Sequence, residues 1–243
     1  REETAGAIEI IDGRPFKQAK GRIDYTLRVK AHPDAQPVAV ALIEAKPEDK
    51  SPAHGLEQAK LYAASKRLNV QFVFASNGHQ FVEFDRFTGL TQAPRKLAEF
   101  PTPADLRSRY EQGMGFALDD PVAAPLLQPY PTGEGTRRYY QDAAIRAVLE
   151  KIARCERAGA PKRALLSLAT GSGKTFIAVN LLKRIADAGQ LRRALFVCDR
   201  DELRIQGTGA MQAVFGNDAA AVSSADPQKN ARILIATYQT LDV

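Results

Sequence analysis

The sequence predicts an α/β protein of two successive domains, each built from a sheet flanked by helices. Three observations point there. Short apolar or alternating runs that read as strands recur along the chain, separated by helical stretches. A segment of strand, tight glycine loop and helix start lies at Leu166-Ser167-Leu168-Ala169-Thr170-Gly171-Ser172-Gly173-Lys174-Thr175. Proline and glycine crowd residues 93–136, as in a connector. The expected division is a first domain over 1–117, a linker over 118–136 and a second domain over 137–243.

The first domain opens with a weakly patterned stretch in which Ala7 to Ile11 suits a strand and Asp12-Gly13 a hairpin turn. Arg22 to Val29 alternates polar and apolar residues and reads as a strand. Val38 to Pro47 is an apolar strand that ends in charge, and Pro47 stops it. The period of two puts Glu44 and Lys46 on one face. A hairpin with the preceding strand brings Asp24 beside Glu44. Two carboxylates and an amine then converge at one sheet edge. Paired carboxylates suit Mg²⁺, a hard cation that prefers oxygen ligands. A nearby lysine can orient or deprotonate a water, or stabilise charge developing on phosphorus. His54 to Ala64 reads as a helix, with Gln58 and Tyr62 four apart on one face. Val70 to Ala75 and Gln80 to Asp85 are strands around a Ser76-Asn77-Gly78 turn.

In the connector, a short helix is expected over Ala104 to Tyr110, starting from Thr102 or Pro103. Thr136 to Glu150 begins the next helix. Arg137 to Arg163 is the most basic stretch, either a solvated helix face or a surface for DNA or nucleotide.

Ala164 to Leu168 is apolar enough for a buried parallel strand. Gly171 and Gly173 permit a sharp turn whose N–H groups point at an anion. Lys174 supplies a charge for the β- and γ-phosphates, and Thr175 a hydroxyl for Mg²⁺. Phe176 to Leu182 then opens a helix whose dipole favours phosphate. Arg193 to Arg200 and Ala231 to Leu241 are two further strands.

Composition bounds the rest. The chain has 243 residues, 44% hydrophobic and 26% charged, with a formal net charge of +6. The positive charge is compatible with nucleic acid. No apolar run approaches the roughly 20 residues that cross a bilayer, and no basic-then-apolar leader opens the chain. Cys155 and Cys198 have no metal-ligand spacing, which fits a reduced cytoplasmic setting with both as small core residues.

Two resemblances give these residues roles. Asp24, Glu44-Ala45-Lys46 and Gln58-x-x-x-Tyr62, followed by Phe72-Val73-Phe74-Ala75-Ser76-Asn77-Gly78, resemble the PD-(D/E)xK nuclease core of type I restriction enzyme restriction subunits. Ile23 stands where the family pattern has proline. The resemblance implies a mixed sheet flanked by helices, with Asp24 and Glu44 as metal ligands, Lys46 at the water, and Gln58 and Tyr62 in support. Glu2, Glu3 and Glu9 are unranked candidates for a further acidic ligand. Ala169-Thr170-Gly171-Ser172-Gly173-Lys174-Thr175 resembles the phosphate loop of superfamily 2 helicases and translocases, with Leu168 where the general pattern has glycine. That implies a RecA-like parallel sheet that takes ATP and Mg²⁺ through Thr170, Gly171, Ser172, Gly173, Lys174 and Thr175. Gln141 resembles the adenine-reading glutamine, with Arg138 or Tyr139 nearby; a plain surface glutamine is the alternative. Arg200, and Thr237 with Gln239, resemble DNA-backbone contacts. A plain strand-to-helix loop is the alternative for Arg200.

The resemblance thus implies Mg²⁺-dependent cutting of unmodified double-stranded DNA, coupled to ATP-driven translocation, beside methyltransferase and specificity subunits. The acidic Mg²⁺ and water-positioning motif of such motors does not occur before Val243. The expectation is therefore an N-terminal piece of a longer subunit, one that holds nucleotide without efficient turnover. Two alternatives stay open: a helicase–nuclease of repair or phage defence outside type I systems, and a nucleotide-binding regulatory module with an inert nuclease fold.

Overall fold

The structure is a computed structural model that describes residues 3–5, 8–11, 14–17, 21–64, 68–130, 138–223 and 230–241. The chain forms two compact units: 1–127 together with 138–164, and 128–137 together with 165–243.

The first unit begins with strands β1 (Glu3–Ala5), β2 (Ile8–Ile11), β3 (Arg14–Lys17) and β4 (Gly21–Ile23). β2 and β3 form the expected hairpin, and β1 pairs antiparallel with β4, Glu3 opposite Ile23. The Asp12-Gly13 turn itself lies outside the described residues. The main sheet has six strands: β5 (Tyr25–Val29), β6 (Val38–Ala45), β7 (Phe72–Ser76), β8 (Gln80–Asp85), β9 (Leu90–Thr91) and β10 (Arg95–Lys96). Its order is β10-β8-β7-β6-β5, with β9 also on β8. β6 and β7 are parallel and the other pairs antiparallel. Helix α1 (Ala53–Ala64) makes the crossover that a parallel pair requires. The strand expected over 22–29 is broken at Asp24, which sits in a bend between β4 and β5.

β6 is buried from Val38 to Leu42 because both sheet faces are covered. On one side, Leu42, Val73, Ala75 and Val82 pack against Leu56, Ala59 and Ala63 of α1. On the other, Phe74, Phe81 and Phe100 meet ring to ring, with centroids 4.7–6.0 Å apart.

The connector is more regular than its proline content suggests. Helix α2 runs from Pro103 to Met114, past the expected stop, and a short α3 spans Ala124–Leu127. Thr102 and Asp105 cap α2 reciprocally, the Asp105 N–H donating to Thr102 Oγ1 and the Thr102 N–H to Asp105 Oδ2. Helix α4 (Tyr139–Arg157) packs with the first unit. Its Glu150, 4% exposed, accepts from the Tyr110 hydroxyl at 2.7 Å and the Asn69 amide at 2.8 Å. Arg146 lies 3.4 Å from Glu150 and donates to the Leu68 and Asn69 carbonyls. Burial pushes the Glu150 carboxyl up, against the pull of Arg146.

In the second unit, β11 (Ala194–Cys198), β12 (Ala219–Ala221) and β13 (Ile233–Thr237) form a parallel sheet in the order β11-β13-β12. Helices α5 (Lys174–Asp187) and α6 (Asp201–Phe215) cover one face through Val179, Met211, Ile233 and Ile235. The strand expected over Ala164–Leu168 does not form, and Leu165 is 94% exposed. An apolar run becomes a strand only where a neighbour accepts its hydrogen-bond ladder, and no strand in the described sheets pairs with this one. The last strand also ends early. At Thr237 the chain turns into the single helical turn α7 (Tyr238–Leu241), whose Thr240 N–H donates to Thr237 Oγ1. Both cysteines are buried and free. Among the described residues no helix is long and apolar enough to cross a membrane.

Candidate active site and phosphate loop

The antiparallel register Tyr25↔Ile43 brings Asp24 to the end of β6, one residue beyond the last ladder pair. There Asp24 Oδ2 accepts the Ala45 backbone N–H at 2.7 Å. This contact follows from the break at Asp24. A residue that leaves the ladder turns its carboxylate onto the neighbouring strand's free N–H.

Glu44 and Lys46 lie on one side, as the period of two requires. The Lys46 amine donates to Glu44 Oε1 at 2.9 Å and to Gln58 Oε1 at 3.2 Å. Gln58 reaches it from α1, so helix and strand converge on one amine. Tyr62 follows on the same helix; its side chain lies outside the described part. Glu44 is 4% exposed, and its second oxygen, Oε2, is buried with no hydrogen-bond partner among the described residues. Burial pushes the Glu44 carboxyl up, the Lys46 amine opposes this, and the Asp24 charge adds to the rise.

These residues fit a divalent cation in chemical type. Both carboxylates are hard oxygen donors, and a buried oxygen without a partner is a costly group that a cation satisfies. Among the described residues no set of three His, Cys, Asp or Glu side chains gathers as a metal site. Of the upstream acids, Glu2 is not described, and Glu3 and Glu9 are placed only as strand backbone.

The glycine loop is a tight turn ahead of α5. Gly171 and Gly173 adopt φ of 77° and 85°, the left-handed region that side chains disfavour. Ser172 N–H turns back to the Ala169 carbonyl at 3.3 Å. α5 starts at Lys174, so its first N–H groups face the loop. The Lys174 amine donates to the Leu168 and Ala169 carbonyls at 3.1 and 3.4 Å and stays exposed. Thr170 and Thr175 flank this turn.

Gln141 belongs to the first unit, while the loop belongs to the second. Its Oε1 accepts the Arg138 N–H at 3.1 Å and caps α4. Arg200 and Gln239 come to the same edge of the parallel sheet, because β11 and β13 end in register at Cys198↔Thr237. Gln239 Nε2 donates to the Asp199 carbonyl at 3.4 Å. Thr237 Oγ1 lies 2.9 Å from Thr240 Oγ1, inside the turn.

Sequence reasoning missed a second ionic cluster. Glu83, fully buried on β8, is paired by Arg95 at 2.6 Å and by Arg109, which also reaches Asp85 at 3.2 Å. Arg95 and Arg109 lie over Phe81 and Phe72. The signal available was Glu83 set among the apolar Phe81, Val82 and Phe84.

Residues 134–243 match the family model described as "Type III restriction enzyme, res subunit". Over 96% of its length the chain is 30% identical to the endonuclease subunit of the Escherichia coli type I restriction enzyme EcoAI, and covers 29% of that protein. It is 32% identical over 74% of its length to the EcoKI endonuclease subunit of Escherichia coli strain K12, covering 16% of it. A solved fragment assigned to the HsdR subunit of a type I restriction enzyme from Vibrio vulnificus YJ016 superposes with a TM-score of 0.70 at 30% identity. That likeness covers 99% of this chain and 42% of the fragment. The chain thus spans less than a third of the curated relatives it resembles.

Proposed function

We propose, from the premise that the chain is HsdR-like, that it serves an ATP-dependent type I restriction endonuclease. In that reading residues 1–117 are a PD-(D/E)xK nuclease domain, 118–136 a linker and 137–243 the start of a RecA-like motor domain. The motor pulls unmodified duplex DNA in the cytoplasm, beside methyltransferase and specificity subunits, and the nuclease cuts it.

The observation that carries the reading is the Lys46 amine held between Glu44 and Gln58, with Asp24 tied to the next backbone N–H. Asp24 and Glu44 hold Mg²⁺. The ion, when bound, supplies a Lewis acid for the phosphodiester and lowers the pKa of water. Glu44 Oε2 is the oxygen free for that ligation. Lys46 orients the attacking water and offsets charge developing on the phosphate. Gln58 holds the amine in place, and Tyr62 supports it or the DNA backbone. Lys174 and Thr175, with the backbone of Thr170, Gly171, Ser172 and Gly173, grip ATP and its Mg²⁺. Gln141 reads adenine once its capping bond is exchanged. Arg200, Thr237 and Gln239 lie at the sheet edge where DNA phosphates pass.

The test is the full-length subunit, reconstituted with its partners on unmodified circular DNA with Mg²⁺ and ATP. Glu44→Ala is expected to consume ATP without cutting. Normal cutting by that variant makes the Asp24–Glu44–Lys46 trio structural and removes the nuclease from this part of the chain.

A further inference from the structure

Gly55 stands on α1 three residues before Gln58, so the two share a helix face. Its backbone is not in the left-handed region, so nothing in the chain's path requires glycine there. A glycine inside a helix is less stable than alanine, and the reason for this one is spatial. A Cβ placed on Gly55 meets Lys46 Cε at 2.7 Å and Lys46 Cγ at 3.1 Å, with Ala75 Cβ at 3.3 Å. The lysine stem runs across the helix where a side chain would stand. Its amine then reaches Glu44 Oε1 and Gln58 Oε1.

We propose that Gly55 is a positioning residue of the nuclease site: its missing Cβ lets α1 close onto the Lys46 stem and sets the amine between Glu44 and Gln58. The proposal deepens the nuclease reading and rests on it. An added methyl at Gly55 forces the lysine stem or the helix aside. Sub-ångström to ångström displacements of a catalytic group are enough to slow a reaction severely.

The experiment uses the full-length subunit, assembled with its partners for activity and alone for melting. It compares wild type, Gly55→Ala, Lys46→Ala and the double variant. Gly55→Ala is expected to cut DNA roughly tenfold or more slowly, with DNA-stimulated ATP hydrolysis unchanged. Its melting temperature is expected to rise less, or fall more, than the same substitution produces in the Lys46→Ala background. In the Lys46→Ala background the same substitution should not lower the melting temperature, since the stem it strikes is gone. If Gly55→Ala is too unstable to purify, a folded double variant alongside a folded Lys46→Ala supports the proposal, and an unfolded double variant overturns it. Wild-type cutting by Gly55→Ala also overturns it, as does an equal melting loss in both backgrounds, which assigns the glycine to packing on Ala75. If Lys46→Ala itself cuts normally, the nuclease reading fails and this proposal goes with it, whatever the melting cycle gives.

Discussion

Gln58 on α1 accepts a hydrogen bond at 3.2 Å from Lys46, which stands just beyond β6, so the helix that crosses from β6 to β7 also braces the amine at the strand's end. Glu44 holds the same amine at 2.9 Å. The two acceptors differ in charge, and the bond to the carboxylate is the stronger. Gln58→Ala therefore leaves Lys46 anchored at one side. One lost hydrogen bond contributes about 0.5–1.5 kcal/mol, so cleavage should fall by about tenfold or less. Lys46→Ala removes the amine itself and should cost about 10²–10³-fold, the scale of losing a charge-stabilising group. Single-turnover cutting rates of the assembled enzyme check the order. A Gln58→Ala loss that persists in full in the Lys46→Ala background would mean that Gln58 acts on the DNA rather than on the lysine.

Asp24 has two tasks that a substitution can separate. Its Oδ2 accepts the Ala45 N–H, and in the proposed nuclease reading its charge serves the cation. Asp24→Asn keeps an acceptor oxygen and loses the charge. The variant should melt close to wild type without Mg²⁺, but Mg²⁺ should raise its melting temperature less. Melting curves across a Mg²⁺ series measure both effects.

The Glu44 carboxyl holds its proton more tightly in the folded chain than in the unfolded one, chiefly because burial disfavours its charge. Its contribution to stability is therefore present below the ordinary carboxylate range and lost as pH rises through the raised value. Without metal, wild type should lose stability over that window relative to Glu44→Gln, which carries no proton to release. In the proposed nuclease reading Mg²⁺ takes the ionised form, so it should restore wild type at neutral pH while leaving Glu44→Gln unmoved. Denaturation midpoints against pH, with and without Mg²⁺, check the sign.

Among the described residues, the Lys174 amine donates to loop carbonyls of its own turn, Leu168 and Ala169. Lys174→Ala thus removes an exposed charge, which the proposed function directs at phosphate, without opening the core. ATP affinity should fall by at least about tenfold, the scale of a charged hydrogen bond, and translocation-dependent cutting should stop. Binding of a fluorescent ATP analogue, with circular dichroism as the control, tests this.

These local clusters were legible because the spacing of a strand or helix fixes them. Glu44 and Lys46 follow from a period of two, Gln58 from the helix that precedes β7, and Gly171 and Gly173 from the turn they permit; the side chain of Tyr62 lies outside the described residues. Features that join distant parts of the chain were not legible. Nothing local tells that Glu150 meets Tyr110 and Asn69, or that Glu83 is bracketed by Arg95 and Arg109. The Ala164–Leu168 run misled because apolar content marks a strand only if a neighbour pairs with it. β12 escaped because Ala219 to Ala221 carries no strand pattern of its own.

Helix α4 supplies the last prediction. Glu150 gathers the Tyr110 hydroxyl, the Asn69 amide and the Arg146 guanidinium in one buried cluster. Glu150→Ala strands all three at once and leaves a buried positive charge uncompensated, a loss of about 3–5 kcal/mol. Tyr110→Phe removes only one hydrogen bond and leaves the ion pair, so about 1–2 kcal/mol is expected. Amide hydrogen exchange over Tyr139–Arg157 reads the helix directly. Glu150→Ala should speed exchange there far more than Tyr110→Phe, while amides of α5 keep their wild-type protection. Faster exchange in α5 as well would show that α4 steadies both units rather than the first alone.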